Sequence, residues 1–98
     1  MKHCQLFILS CLIAFGGLTQ NYQPDKVVKR AFQEFEKGIE SLQNGQFAQG
    51  IRLLRKSIQT DPKFVDAFLS LGGAYQEIRL YDSSVYFYER AIQQDPQY

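Results

Sequence analysis

From Val28 onward the apolar residues of this chain recur three and four positions apart. Val28, Phe32, Phe35, Ile39 and Leu42 form one such series, and Phe47, Ile51, Leu54 and Ile58 form the next. Phe64, Phe68, Leu71, Tyr75 and Ile78 follow, then Tyr81, Val85, Tyr88 and Ile92. Each series lays one apolar stripe along a helix, and no stretch alternates over a length that suggests a strand. Asn44-Gly45 separates the first two helices, since both residues tolerate the left-handed conformation. Asp61-Pro62 ends the second, with Asp61 able to cap the helix that follows and Pro62 suited to its first turn. Arg79-Leu80-Tyr81 marks the last boundary more weakly. The spacing predicts an all-α chain with helices at about 25–43, 47–60, 63–79 and 82–94, each antiparallel to its neighbour.

Laid against itself at an offset of 34, the sequence repeats. LLRKSIQTDPKF (Leu53 to Phe64) lies over FYERAIQQDPQY (Phe87 to Tyr98), so Ile58, Gln59, Asp61 and Pro62 return as Ile92, Gln93, Asp95 and Pro96. Phe47, Ile51 and Leu54 return in type as Tyr81, Val85 and Tyr88, and Gly38 returns as Gly72. Two antiparallel helices every 34 residues resemble the tetratricopeptide repeat, whose pattern is W-x2-L-G-x2-Y, A-x3-F, then P. The second unit reads Phe68-x2-Leu71-Gly72-x2-Tyr75, Ser84-x3-Tyr88 and Pro96, with Ala91 in the small slot before the proline. The first reads Glu34-x2-Lys37-Gly38-x2-Ser41, Gly50-x3-Leu54 and Pro62. There Gly38, Leu54 and Pro62 fit, while Glu34, Lys37 and Ser41 stand where the family carries bulky apolar groups. The stripe of that helix is displaced by one residue, about 100° of rotation, so it either turns about its axis or faces another neighbour.

The resemblance implies antiparallel helix pairs stacked as a short right-handed solenoid. One repeat spans 31–64 behind an extension at 21–30, and the other spans 65–98. It assigns repeat packing to Gly38, Leu54, Pro62, Phe68, Leu71, Gly72, Tyr75, Tyr88, Ala91 and Pro96. It also places a peptide-binding groove on the first helices of the two repeats, at Phe35, Ile39, Leu42, Asp66, Leu69, Gly73 and Gln76. Members that capture the acidic C-termini of heat-shock chaperones use Lys and Asn on this face. Phe35, Ile39 and Gly73 stand there instead, which disfavours that specificity.

Ahead of the repeats, Met1-Lys2-His3 is followed by an uncharged apolar run from Leu6 to Leu18. Thirteen residues suit a signal-peptide core and fall short of the ~20 that span a bilayer. Small residues at Ala14-Phe15-Gly16 and Gly17-Leu18-Thr19 place cleavage between Gly16 and Gln20, giving a signal peptide over 1–20. The chain is therefore expected in the periplasm or cell envelope of a bacterium. Ile8-Leu9-Ser10-Cys11 resembles a lipoprotein box but comes too early, with the apolar run continuing past it. Anchoring through Cys11 is disfavoured.

At 98 residues and 11.3 kDa the chain allows one small domain. Its formal net charge is +1, and Lys2 lies in the leader, so the remainder is balanced and gives a nucleic acid no cationic surface. His3, Cys4 and Cys11 all precede the repeats, which removes zinc ligation, thiol nucleophiles and imidazole bases from the folded part. No phosphate loop or nucleophile elbow is present. No catalysis, cofactor, metal or small-molecule substrate is expected. The carboxylates of Glu34, Glu36, Glu40, Asp66 and Glu77 read as surface solubility, and Arg52, Arg55 and Lys56 as a solvated face. Within Tyr86-Phe87-Tyr88 only Tyr88 lies on the apolar stripe. Tyr86 and Phe87 then face a further element or lie partly exposed. Gly73 is a second glycine inside a helix, costing ~1 kcal/mol against alanine, and either admits a close ligand backbone or reflects drift.

The expected function is an exported module that binds a protein or peptide partner. The alternative is the opening structural segment of a longer envelope protein, associated with peptidoglycan or the outer membrane. Two repeats bury little core, so residues 21–98 alone are expected to be marginally stable, to self-associate, or to be completed by further repeats beyond Tyr98.

Overall fold

The computed structural model describes residues 26–97. Within them lie four helices, α1 (Lys29–Gln43), α2 (Phe47–Thr60), α3 (Val65–Glu77) and α4 (Tyr81–Gln94), and no strand. The fold is all-α. Short turns fold α1 back on α2 and α3 back on α4, and α3 packs in addition against α2. The leader at 1–20, with Cys4 and Cys11, and Tyr98 lie outside the described residues.

The helix ends repeat as the sequence does. After α1 the Gly45 N–H donates to the Leu42 carbonyl (3.0 Å) and the Gln46 N–H to the Ser41 carbonyl (2.8 Å). After α3 the Arg79 N–H donates to Gln76 (3.0 Å) and the Leu80 N–H to Tyr75 (2.9 Å). Both are Schellman closures around a left-handed residue. That residue is Gly45 (φ 79°) in the first and Arg79 (φ 66°), without glycine's freedom, in the second. At the other ends Asp61 and Asp95 take extended backbone (φ −139° and −144°), and each Oδ1 accepts the N–H two residues on. Asp61 does not cap α3. It caps α2, and Pro62 occupies the second place of a turn closed by the Phe64 N–H on the Asp61 carbonyl. α3 therefore begins at Val65, two residues later than the spacing predicts. α1 begins at Lys29 rather than near 25, because Val28 is extended and its N–H is held by Asp61 Oδ2 at 3.0 Å.

On α3 the stripe is buried as read, at Phe64, Phe68, Leu71 and Tyr75, but on α4 and α1 the buried faces differ from the stripes read in the sequence. On α4 the stripe Tyr81, Val85, Tyr88, Ile92 was expected inward, but the buried residues are Ser84, Phe87 and Ala91. Phe87 does not point away: it is 4% exposed, with its ring stacked on Tyr75 at 5.5 Å. On α1 the buried residues are Ala31, Glu34, Gly38 and Ser41, whereas Val28 and Phe32 are exposed. The reason is distance of approach. Paired helices close together across small side chains, and the bulky residues flank the contact rather than fill it.

Glycines set that approach at two places. A Cβ on Gly38 would stand 3.2 Å from the Gly50 carbonyl and 3.0 Å from Leu54 Cγ. A Cβ on Gly72 would stand 2.7 Å from the Tyr88 ring. Leu54 and Tyr88 are related by the 34-residue offset, as are the two glycines. α1 therefore keeps the same register on α2 that α3 keeps on α4, and it is not rotated by a residue step. Buried hydroxyls bridge both pairs: Ser57 Oγ donates to the Ala31 carbonyl at 2.7 Å, and Ser84 Oγ to the Gly72 carbonyl at 2.8 Å.

Candidate functional site

The seven groove residues belong to the two adjoining first helices, Phe35, Ile39 and Leu42 to α1 and Asp66, Leu69, Gly73 and Gln76 to α3. All are half-buried except Gln76, which is exposed. Phe35, Ile39, Leu42 and Leu69 rest on the main core, which Val65, Phe68, Leu71 and Tyr75 of α3 help to build. Their inner surfaces are thus spent on the fold and their outer surfaces remain in solvent. Phe35 also packs on Phe64, with ring centroids 4.9 Å apart. Leu42 Cδ2 lies 2.5 Å from where a Cβ on Gly50 would stand, so Leu42 also closes the first helix pair.

Ile39 and Leu69 are the remaining apolar residues of the candidate groove, each half-buried against the main core. Beside Leu69, one turn along α3, an added Cβ on Gly73 would meet nothing closer than the Tyr88 hydroxyl at 3.7 Å. Packing therefore does not demand a glycine there. That hydroxyl donates to Gln76 Oε1 at 3.1 Å, giving the Gly73 end a polar edge. Asp66 sits in the first turn of α3, where the helix dipole favours a carboxylate.

Two groups assigned to solvent are structural. Glu34 is 8% exposed, its Oε1 accepting from the Thr60 hydroxyl at 2.7 Å and its Oε2 lying 3.8 Å from Lys56 Nζ. A carboxylate fills an otherwise apolar slot because α2 supplies donors for it. The offset turns Glu34 and Lys56 into Phe68 and Arg90, and there the guanidinium lies 5.9 Å above the phenyl ring. Arg55 likewise is not simply solvated. Its Nε donates to the Tyr75 hydroxyl at 2.9 Å, and its guanidinium lies 5.3 Å from the Phe87 ring centre. Arg52 stays exposed.

Sequence reasoning did not anticipate an open cleft of about 390 Å³ lined by Arg55, Ile58, Gln59, Asp82, Ser83, Tyr86 and Phe87. Its signal was Tyr86-Phe87, two aromatics off the expected stripe. Among the described residues no group of three or more His, Cys, Asp or Glu side chains is placed to hold a metal ion. No helix among them is long and apolar enough to cross a membrane. A scan against protein-family models finds no match, and a comparison with curated proteins finds no relative.

Proposed function

We propose that this chain is an exported protein-interaction module of the tetratricopeptide kind, which seats a partner peptide or helix between α1 and α3 and performs no catalysis. The observation that carries the reading is that Ile39 of α1 and Leu69 of α3 are both half-buried against the main core, and that Leu69 lies one turn from Gly73, a glycine that packing does not require. Such a surface offers apolar contact to a bound segment, and Gly73 leaves room for its backbone. Leu69→Lys sets an ammonium in that contact, a loss of several kcal/mol wherever it is desolvated. Peptides selected from a random display library on the chain should lose at least ~10-fold affinity for Leu69→Lys, about 1.4 kcal/mol, and be unaffected by Arg52→Ala. Unchanged binding by Leu69→Lys, with helicity retained in circular dichroism, rejects this face.

The second reading, a structural segment opening a longer envelope protein, is favoured by the apolar outer side of α4. There Tyr81, Val85 and Ile92 are each more than half exposed.

A further inference from the structure

The open cleft between α2 and α4 carries side chains that the repeat does not call for. Its apolar member on α2, Ile58, returns at the 34-residue offset as Ile92. Three others change character: Arg55 corresponds to Glu89, Asp82 to Ala48 and Tyr86 to Arg52. These three belong to one place in the fold and not to the repeated packing.

The cation of the cleft is fixed in advance. Arg55 Nε donates to the Tyr75 hydroxyl at 2.9 Å, and the guanidinium carbon lies 5.7 Å and 5.3 Å from the centres of the Tyr75 and Phe87 rings. An arginine on an open surface gives up rotamer freedom when it takes an anion, and here the fold has already removed much of that freedom. The bond to Tyr75 uses one of five N–H donors and leaves the terminal fork for a carboxylate. Asp82, in the first turn of α4, is exposed and lines the same cleft without forming an ion pair with Arg55. Two opposite charges that share a cleft and do not neutralise each other suit a ligand carrying both signs; a ligand of one sign is attracted by one and repelled by the other.

The remaining lining fits the body of such a ligand. Tyr86 is set edge-on to Phe87, with ring centroids 5.0 Å apart, and the Arg90 guanidinium lies 5.7 Å from its ring centre. It still keeps 52% of its surface exposed, and with Ile58 it gives the cleft an apolar wall. The Gln59 amide is able both to donate to and to accept from a peptide bond. A volume of about 390 Å³ falls within the roughly 300–1,000 Å³ of small-ligand sites.

We propose that this cleft binds a short zwitterionic peptide, with its terminal carboxylate on Arg55, its terminal ammonium at Asp82 and an apolar side chain against Tyr86 and Ile58. The groove between α1 and α3 takes no part in this site.

The dipeptide alanyl-phenylalanine is the probe, together with its N-acetyl and C-amide forms, each of which removes one charge. Titrated into the isotope-labelled chain to about 10 mM, a range suited to a weak ligand, the free dipeptide should shift the NMR signals of the Arg55 Nε–H and the Ser83 and Tyr86 amides. It should bind at least ~5-fold more tightly than either blocked form, the scale of one exposed ion pair. Asp82→Asn should weaken the free dipeptide by a similar factor and leave the N-acetyl form, which has no ammonium, unchanged. Arg55→Lys keeps the charge and loses the fork, so it should weaken the N-acetyl form and spare the C-amide. Leu69→Lys should leave all three affinities unchanged, which separates this site from the groove. The proposal is overturned if no shifts appear at the cleft, if the three forms bind alike, or if Asp82→Asn weakens the N-acetyl form as much as the free dipeptide.

Discussion

Gly72 and Gly73 adjoin in sequence and answer to different physics. A methyl at Gly72 meets Cδ1 and Cε1 of the Tyr88 ring at 2.7 Å and Cγ, where the ring is attached, at 3.0 Å, so either the ring or the whole of α4 must shift. A methyl at Gly73 meets only the Tyr88 hydroxyl, at ordinary contact distance. Alanine favours a helix over glycine by up to ~1 kcal/mol at both, while overpacking costs ~1–3 kcal/mol. Gly72→Ala should therefore destabilise by ~1–2 kcal/mol in urea unfolding, and Gly73→Ala should stabilise by ~0.5–1 kcal/mol. If Gly73 admits a ligand backbone, the same Gly73→Ala will weaken peptide binding while strengthening the fold. Equal effects of the two substitutions on stability would contradict the α3–α4 approach described above.

At the scale of elements, the turns carry more information than the faces. Asn44-Gly45 and Asp61-Pro62 locate helix ends to within a residue or two, because a left-handed residue and a proline each exclude continued helix. Arg79 shows how far position outweighs residue type: it takes the conformation of Gly45 and closes the same pair of hydrogen bonds. A left-handed conformation costs a non-glycine residue ~1–2 kcal/mol, part of which glycine returns through a looser unfolded chain. Arg79→Gly should stabilise by ~0.5–1 kcal/mol without changing the denaturant slope. A loss of stability would show that the Arg79 side chain makes contacts the turn depends on. The helix faces were less legible. A stripe read from hydrophobicity picks the bulkiest residues, whereas close helix pairs are lined by Gly38, Gly50, Ser57, Ser84 and Ala91, which score as neutral or polar. The same bias hid Glu34, whose partners Thr60 and Lys56 lie 26 and 22 residues away and meet it only once α2 folds back. The seven candidate groove residues fall on α1 and α3, the helices to which the repeat register assigns them. How deeply Phe35 and Leu42 commit to the core depends on Phe64 and Gly50, which no local pattern connects to them.

Across the whole molecule, stability should fall toward the C-terminal helix. α1 packs on α2 and α3, and α3 packs on both α2 and α4, but α4 rests on α3 alone apart from the Arg55 contact with Phe87. Among the described residues, six of the eight large apolar residues left exposed, Ile78, Leu80, Tyr81, Val85, Tyr86 and Ile92, lie in the last turn and α4, the other two being Val28 and Phe32 at the start of α1. Two helix pairs bury too little surface to leave more than ~3–5 kcal/mol of net stability, and in a linear array each helix is held only by its neighbours. α4 should therefore open first, as a unit, below the free energy of global unfolding. Native-state amide exchange should find its central amides exchanging ahead of those in α1, α2 and α3, and the chain should melt broadly below ~65 °C. Equal protection of all four helices, or a sharp concentration-independent melt above that range, would mean that α4 is held by more than α3.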